Sequence, residues 1–260
     1  MVIAKNEAPV YTITHKGQPV ILPSTLGVSG WEEGVTLNGK NYTSCDTLWE
    51  PVYGERGVVR NRYHQLSLSF KNKQLDELSL EVRAYNEGIA FRYGFAGNGL
   101  ANEIKEVNNE LTEFTLPEGV MAWVTPRAQT VYELLPLNNW KTEAERPLVL
   151  QFTDGRLACL TEAGVVNYCR TKFSLDTTKG NTIRCAMFGE ARLAVPFFTP
   201  WRVVMAGEQA GDLLTNNDLI LNLNDPTEIS DASWIKPGKV IREVTLTTQG
   251  AKACIDFASK

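Results

Sequence analysis

The sequence predicts an all-β fold in which antiparallel strands form a β-sandwich. Three observations lead to this prediction: short segments of alternating apolar and polar residues recur along most of the chain, turn signals separate them, and helical periodicity appears in only two places. Antiparallel strands at this spacing favour a sandwich over a parallel sheet covered by helices. With 260 residues, the chain could form one large all-β domain or two smaller ones.

The first third of the chain contains a hairpin and a meander. Alternation on both sides of the Gly17 turn predicts a hairpin within residues 9–22, and glycines from Gly27 to Gly39 then divide the chain into several short predicted strands. Three alternating segments follow, the last of them after a turn at Asn86–Gly88. They are His64–Phe70, Glu77–Tyr85 and Ile89–Phe95.

The rest of the chain continues as short strands and ends with a helix. Further strands are predicted at Leu111–Leu116, Val120–Val124, Pro147–Phe152, Arg156–Thr161, Val165–Tyr168, Ile183–Phe188 and Trp201–Ala206. Helical spacing appears at Glu208–Leu214 and at Gln249–Lys260, the second after a strand-like segment at Glu243–Thr247. A terminal strand and helix cannot bury their own apolar faces, so we expect that they begin a further domain.

Composition and charge exclude several classes of function. The chain is 43% hydrophobic and 22% charged, and no apolar run approaches the ~20 residues of a membrane helix. A net charge of -4 and a pI near 5.4 argue against a nucleic-acid surface. The five cysteines are widely spaced without a CxxC pair, so we expect buried free thiols rather than disulfides or a zinc site. Only two histidines, His15 and His64, are present, which excludes a three-histidine metal site and disfavours a Ser-His-Asp triad.

Aromatic and polar side chains are mixed between Asp46 and His64. Trp49, Tyr53 and Tyr63 stand there among glutamates, arginines and an asparagine. Flat rings beside planar hydrogen-bonding groups can hold a sugar, which makes these three residues candidate substrate-binding residues. The same mixture also occurs where two domains meet. Both a sugar platform and a structural interface are therefore open for this stretch.

Three glutamates could be considered as catalytic carboxyl groups. Glycoside hydrolysis needs two carboxyl groups about 5–10 Å apart across the sugar, and Glu50, Glu55 and Glu162 are candidates for such a pair. Exposure and ion pairing are the usual condition of glutamate, so we favour a structural role. The expected partners of Glu50 and Glu55 are Arg56, Arg60 or Arg62.

Several motifs together resemble the amino-terminal domain of the family 97 glycoside hydrolases, which are bacterial α-glycosidases of the α-glucosidase and α-galactosidase type. The similar segments are PSTLGV at 23–28, LWEPVYGE at 48–55, VRNRYHQL at 59–66, RAYNEGIAFRYGF at 83–95, TPWRVV at 199–204, LILNLNDP at 219–226 and DASWIKPGK at 231–239. They cover almost the whole chain in the family's order. The resemblance implies a β-super-sandwich at residues 1–230, a linker at 231–240 and the start of a (β/α)8 barrel at 241–260.

The same resemblance implies where the chemistry lies. The catalytic carboxyl groups of the family belong to the barrel, so none is expected in this chain, and its partner would be its own barrel. The segment WVTPRAQTVYE at 123–133 is similar to the piece that supplies one carboxylate to an active-site calcium ion, and Glu133 falls on that position. A hard cation of this kind prefers several oxygen ligands. The remaining ligands would come from the barrel.

Three functions are consistent with the predicted fold class. The first is a component of an exo-acting α-glycosidase whose substrate is an α-linked oligosaccharide or α-glycoside. The second is a stand-alone carbohydrate-binding module, and the third is an aldose-epimerase-like sandwich enzyme, which two histidines make unfavourable. The resemblance also implies a periplasmic protein, although the first residues show neither the charged nor the long apolar region of a signal peptide.

Overall fold

The computed structural model describes residues 7–74, 76–97, 103–140 and 143–259. The chain divides into two compact units. Residues 1–47 and 60–225 form the first unit, and residues 48–59 and 226–260 form the second. Within the described ranges, no helix has the length and apolar character needed to cross a membrane.

Strands dominate the described residues. In chain order, the strands are β1 (Val10–His15), β2 (Gln18–Thr25), β3 (Thr36–Trp49), β4 (Val59–Lys71), β5 (Glu77–Ala84), β6 (Gly88–Phe95), β7 (Ile104–Val107), β8 (Glu113–Thr115), β9 (Met121–Val124), β10 (Glu133–Pro136), β11 (Leu148–Gln151), β12 (Leu157–Ala163), β13 (Thr171–Leu175), β14 (Thr182–Met187), β15 (Ala191–Ala194), β16 (Phe197–Phe198) and β17 (Trp201–Gly207). The helices are α1 (Ala210–Thr215), α2 (Asp218–Asn222) and α3 (Thr248–Ala258).

Two antiparallel sheets form the sandwich. The smaller sheet has the order β1-β2-β8-β14-β13, and the larger has the order β10-β9-β11-β12-β17-β6-β5-β4-β3, with β16 paired to β6. Strands β7 and β15 form a separate pair. The predicted all-β, antiparallel fold class is confirmed.

One hydrophobic core includes residues from both sheets. Leu80 and Phe91 of the larger sheet belong to the same buried cluster as Phe114, Phe173 and Ile183 of the smaller sheet. Successive side chains of a strand point to opposite faces, so the alternation in the sequence places one apolar set inside. Each fully buried side chain of this kind contributes about 1.5–3 kcal/mol through the hydrophobic effect.

A second core covers part of the outer face of the larger sheet. Val203 and Met205 on β17 and Cys159 on β12 form a buried cluster with Leu219 and Leu223, which lie on and just after α2. Helix α1 packs against the same two strands. Strand β17 is therefore apolar on both faces, which explains its nearly continuous apolar sequence.

The structure confirms most predicted elements. The hairpin and the meander are present, and so are helices α1 and α3. The predicted strands that correspond to β8, β9, β11, β12, β14 and β17 are also present. In the meander, His64 pairs with Ala84 and Leu78 pairs with Phe95, so the three strands lie side by side as expected.

Three predicted features are wrong. No strand forms at 165–168, where Gly164 and Asn167 both adopt positive φ angles of 64° and 52° and bend the chain into a loop. Residues 243–247 are described but form no strand, because a strand needs a hydrogen-bonded neighbour. The short strands expected around Gly39 are replaced, from Thr36 onward, by the single 14-residue strand β3.

The second unit contains α3. Thr247 caps this helix, because its side chain accepts a hydrogen bond of 3.0 Å from the Gly250 backbone N–H. Ile255 and Phe257 on the helix are exposed. The domain boundaries at 230 and 240 stay predictions.

All five cysteines are free, as expected. Only Cys159 and Cys185 are buried, and the expectation of burial is wrong for the partly exposed Cys45, Cys169 and Cys254. Burial raises the pKa of the Cys159 thiol to about 12. A thiol of this kind is inert at neutral pH.

Candidate functional site

Glu133 is the first residue of β10, at the edge of the larger sheet. It pairs with Val124 of β9 in an antiparallel hairpin, and its side chain is exposed. The carboxylate forms no ion pair or hydrogen bond with the residues that the structure describes. The backbone is thus held by the sheet while the carboxylate oxygens stay free for an external ligand.

Hydroxyl groups within the loop between β9 and β10 hold its backbone in a turn. The Thr125 and Thr130 Oγ1 atoms lie 2.6 Å apart, and both hydroxyls donate to the Arg127 carbonyl oxygen, at 3.0 and 2.6 Å. Gln129 has a φ of 63°, in the left-handed region. These contacts give the eight residues before Glu133 a defined turn instead of a loose connection.

Hydrogen bonds from an ion-paired group of residues hold the start of this loop. The Glu145 backbone N–H donates to the Thr125 carbonyl at 2.8 Å, and Lys172 Nζ donates to the Pro126 carbonyl at 3.0 Å. Lys172 also lies 3.3 Å from the Glu145 carboxylate, which accepts hydrogen bonds from Arg170 at 2.6 and 2.8 Å. Partial burial raises the pKa of Glu145, but the hydrogen bonds from Arg170 and Lys172 outweigh it and hold that pKa below its usual range. Glu145 therefore remains ionised at neutral pH.

A fully buried ion cluster lies inside the sandwich. The Arg202 side chain is 1% exposed and donates to Glu110 at 2.9 and 3.0 Å and to Glu162 at 2.8 Å, while the two carboxylates are 0% and 2% exposed. Glu162 also contacts Arg146 and accepts a 3.0 Å hydrogen bond from the Thr171 hydroxyl. Burial lowers the pKa of Arg202, but the two carboxylates outweigh it and raise that pKa well above the ordinary value. Glu162 is therefore a structural carboxylate.

One residue type in the sequence indicates this cluster. Arg202 interrupts an otherwise apolar strand, and a charge in such a strand needs a buried partner. Glu110 lies 92 positions away, so the pairing could not be inferred from the sequence.

The three predicted sugar-binding aromatic residues fall in different units. Tyr63 belongs to the first unit, whereas Trp49 and Tyr53 belong to the second, where Tyr53 is 66% exposed. The grouping of the three rings into one platform stays a prediction. Arg60 and Arg62, expected near Glu50 and Glu55, contact Asp46, and Arg60 forms two hydrogen bonds of 2.7 Å with it.

Tyr63 takes part in a row of stacked rings and guanidinium groups on the outer face of the larger sheet. The Arg83 guanidinium lies 4.4 Å from the Tyr63 ring centre and 4.7 Å from the Trp201 ring centre. Arg92 lies 4.4 Å from the Trp201 ring and 4.0 Å from the Phe198 ring. The Arg83 guanidinium thus already covers one face of the Tyr63 ring, which favours a structural role for this residue.

The described residues do not form a complete metal site. No group of three or more histidine, cysteine, aspartate or glutamate side chains is arranged to hold a metal ion in the parts that the structure covers. Calcium takes six to eight oxygen ligands. Glu133 fits the part of one such ligand, and the others would have to come from elsewhere.

The chain is similar in sequence and in fold to known proteins. Residues 1–226 match the family described as the glycosyl-hydrolase 97 N-terminal domain. A solved Glycoside Hydrolase Family 97 enzyme in complex with acarbose, from Pseudoalteromonas sp. strain K8, superposes with a TM-score of 0.86 and 27% identity over 99% of this chain and 44% of that chain.

Two curated relatives extend the comparison. A retaining α-galactosidase of Bacteroides thetaiotaomicron is 26% identical over 88% of this chain and 40% of its own length. A probable retaining α-galactosidase of Streptomyces bingchenggensis is 22% identical over 92% of this chain and 38% of its own length. The chain spans about two fifths of the length of the relatives it matches.

The protein is therefore an all-β sandwich of the kind found in glycoside hydrolases. It belongs to the glycosyl-hydrolase 97 N-terminal family.

Proposed function

We propose that this chain is the amino-terminal domain of an exo-acting, calcium-dependent α-glycoside hydrolase, an α-glucosidase or an α-galactosidase. The family membership and the α-galactosidase names of the curated relatives support this function. The catalytic carboxyl groups would lie in a (β/α)8 barrel that packs on the sandwich. The chain covers 44% of the solved Pseudoalteromonas enzyme, and this coverage supports the proposal. The substrate would be an α-linked oligosaccharide or α-glycoside.

The chain's own contribution to the reaction would be the Glu133 carboxylate. One observation carries this proposal: Glu133 is exposed on an edge strand without an ion-pair partner among the described residues, while Glu110, Glu145 and Glu162 are all paired with arginines. An unpaired carboxylate on a rigid strand can bind a cation without first breaking an internal ion pair. Bound calcium would polarise sugar hydroxyls and orient a neighbouring carboxylic acid.

The loop of residues 125–132 would position this ligand. Its internal hydroxyl contacts and the hydrogen bond from Lys172 hold the backbone that leads into Glu133. Less conformational entropy is then lost when the cation binds.

The decisive experiment uses the protein that contains both the sandwich and the domain expected to follow it. Glu133→Gln should weaken calcium binding roughly tenfold or more, because a charged ligand is replaced by a neutral one. Hydrolysis of aryl α-galactoside and α-glucoside substrates should then need more calcium. Glu118→Gln, at an exposed turn of the first unit, is the matched control and should change neither property. Unchanged activity and calcium requirement in Glu133→Gln would contradict the ligand role.

A second function, that of a stand-alone carbohydrate-binding module, rests on the exposed ring of Tyr53. Trp49, in the same unit as Tyr53, would extend the stacking surface. Calorimetry of the 260-residue chain with maltose and with galactosides tests this function. Absence of heat at millimolar sugar would rule it out, and so would binding that is unchanged in Tyr53→Ala.

We also propose a periplasmic location, which rests on the family resemblance. Cell fractionation tests it: the native protein should appear in the osmotic-shock fluid. Recovery in the spheroplast fraction alone would contradict it.

A further inference from the structure

A pocket of about 340 Å³ opens beside the smaller sheet of the first unit. This volume lies at the small end of the range of ligand pockets, about 300–1,000 Å³. Its walls include Glu113, Ser174 and Arg184 from three neighbouring strands, with Asn109 and Leu111 from the segment before β8. None of these residues belongs to the loop around Glu133.

The strand register builds the polar wall of this pocket. Ser174 of β13 pairs with Arg184 of β14, and Arg184 pairs with Glu113 of β8, so the three side chains form a row across the sheet. Their neighbours Phe173 and Ile183 are buried in the sandwich core. The row therefore lies on the face of the smaller sheet that points away from the core.

The two cations of the wall are paired with carboxylates, and Glu32 adds one further negative charge. The Glu113 side chain is buried and accepts hydrogen bonds from Lys179 at 2.7 Å and from Arg184 at 3.1 Å. Arg184 also lies 2.6 Å from Asp176, and the Glu110 carboxylate behind the pocket is paired with Arg202. The guanidinium and ammonium groups keep further N–H donors, whereas each Glu113 oxygen already accepts two hydrogen bonds.

These properties exclude three kinds of ligand. Among the described residues no cluster suits a metal ion. The two cations of the wall, Lys179 and Arg184, are both held by carboxylates, so the pocket offers no positive field to an anion. An apolar ligand would cover the exposed Asn109 amide and the Ser174 hydroxyl without offering them hydrogen bonds.

We propose that this pocket binds a neutral polyhydroxylated ligand of monosaccharide size. Hydroxyl groups can donate to the side-chain oxygen of Asn109 and accept from Arg184 and Lys179 while both cations keep their carboxylate partners. Leu111 and Ala186 supply a small apolar surface for the C–H face of a sugar ring. The site is separate from Glu133 and does not depend on the calcium role, so the two proposals can fail independently.

The experiment uses the 260-residue chain and backbone-amide NMR titrations. The probes are methyl α-galactoside, methyl α-glucoside and maltose, with sodium sulfate as an anionic probe. We expect saturable shifts of amides in β8, β13 and β14 at millimolar concentrations of at least one sugar, and no saturable shifts with sulfate. Absence of saturation with every sugar, or saturation with sulfate at these amides, would overturn the proposal.

Two variants connect the binding to the pocket. Ala186→Phe fills the pocket and leaves its charged groups in place, and it should weaken sugar binding roughly tenfold or more, a loss of about 1.4 kcal/mol. Ala194→Phe, at an exposed position of β15, is the matched control and should bind like the wild type. Asn109→Ala removes one exposed amide with little risk to folding and should weaken binding roughly threefold to tenfold. Binding that is unchanged in both Ala186→Phe and Asn109→Ala would overturn the assignment.

Discussion

Replacing Arg202 by methionine tests the buried ion cluster. The change removes the only cation that contacts Glu110 in the described structure and one of two cations that contact Glu162. Both carboxylates are almost completely shielded from water, so Glu110 is left as a buried charge without its cation. Methionine occupies a similar volume, so packing changes little.

The expected loss of stability is large. Removal of one partner of a buried ion pair costs about 3–5 kcal/mol. For a chain of this size, 1 kcal/mol shifts the melting temperature by ~2–4 °C, so Arg202→Met should melt roughly 6–20 °C below the wild type. Thermal unfolding followed by circular dichroism measures this shift, and urea unfolding gives the free energy.

A control and a partial rescue complete the test. Arg192→Met removes a pair with Glu106 whose two members are largely exposed, and it should leave the melting temperature almost unchanged. Glu110→Gln added to Arg202→Met should recover part of the loss, because the buried charge is removed. A melting temperature of Arg202→Met within ~2 °C of the wild type would refute the reasoning, because it would mean that water or another cation compensates the carboxylates.

Three further predictions concern other groups. Burial raises the pKa of Glu113, but the hydrogen bond from Lys179 outweighs it and lowers that pKa from its usual 4.5, so this group stabilises the fold above pH 4.5 and the stability is lost as pH falls through its folded pKa. Glu113→Gln should therefore flatten the acid side of the stability profile, and a profile as steep as that of the wild type in urea unfolding would contradict this. Tyr93→Phe removes the hydroxyl that accepts from the Gly27 N–H at 2.9 Å and should cost about 1–3 kcal/mol in the same assay, whereas a cost near zero would mean that water replaces it. The Cys159 thiol, whose pKa burial raises to about 12, should react with a disulfide reagent only after unfolding, and modification of the native protein would contradict its burial.

The sequence predicted those parts of the fold in which a strand buries one face. Strands β5 and β6 were found because core residues alternate with polar ones, and the register of Leu80 with Tyr93 follows from the same alternation. Strand β3 was predicted only in pieces because 11 of its 14 residues are exposed, so no apolar pattern marks it. Helix α2 was not predicted, because its five residues are too few for a visible period.

The candidate site was less predictable than the fold. Glu133 was identified through the family resemblance, and no local pattern distinguishes it from any other exposed glutamate. The hydrogen bonds that hold its loop join residues such as Pro126 and Lys172, which are 46 positions apart. Contacts at such distances depend on how strands are ordered in the sheets, and the pattern of one segment does not contain that order.

The position of Arg202 gives β17 a preferred alignment with its neighbours. This side chain and Val204 point into the sandwich, whereas Val203 and Met205 point to the helix-covered face. Both faces are apolar, so hydrophobic burial alone would tolerate a shift of the strand by one residue, which exchanges the two faces. Such a shift would place the guanidinium among aliphatic side chains and leave Glu110 opposite a valine. The single charge thus selects one pairing among several that the apolar residues would accept.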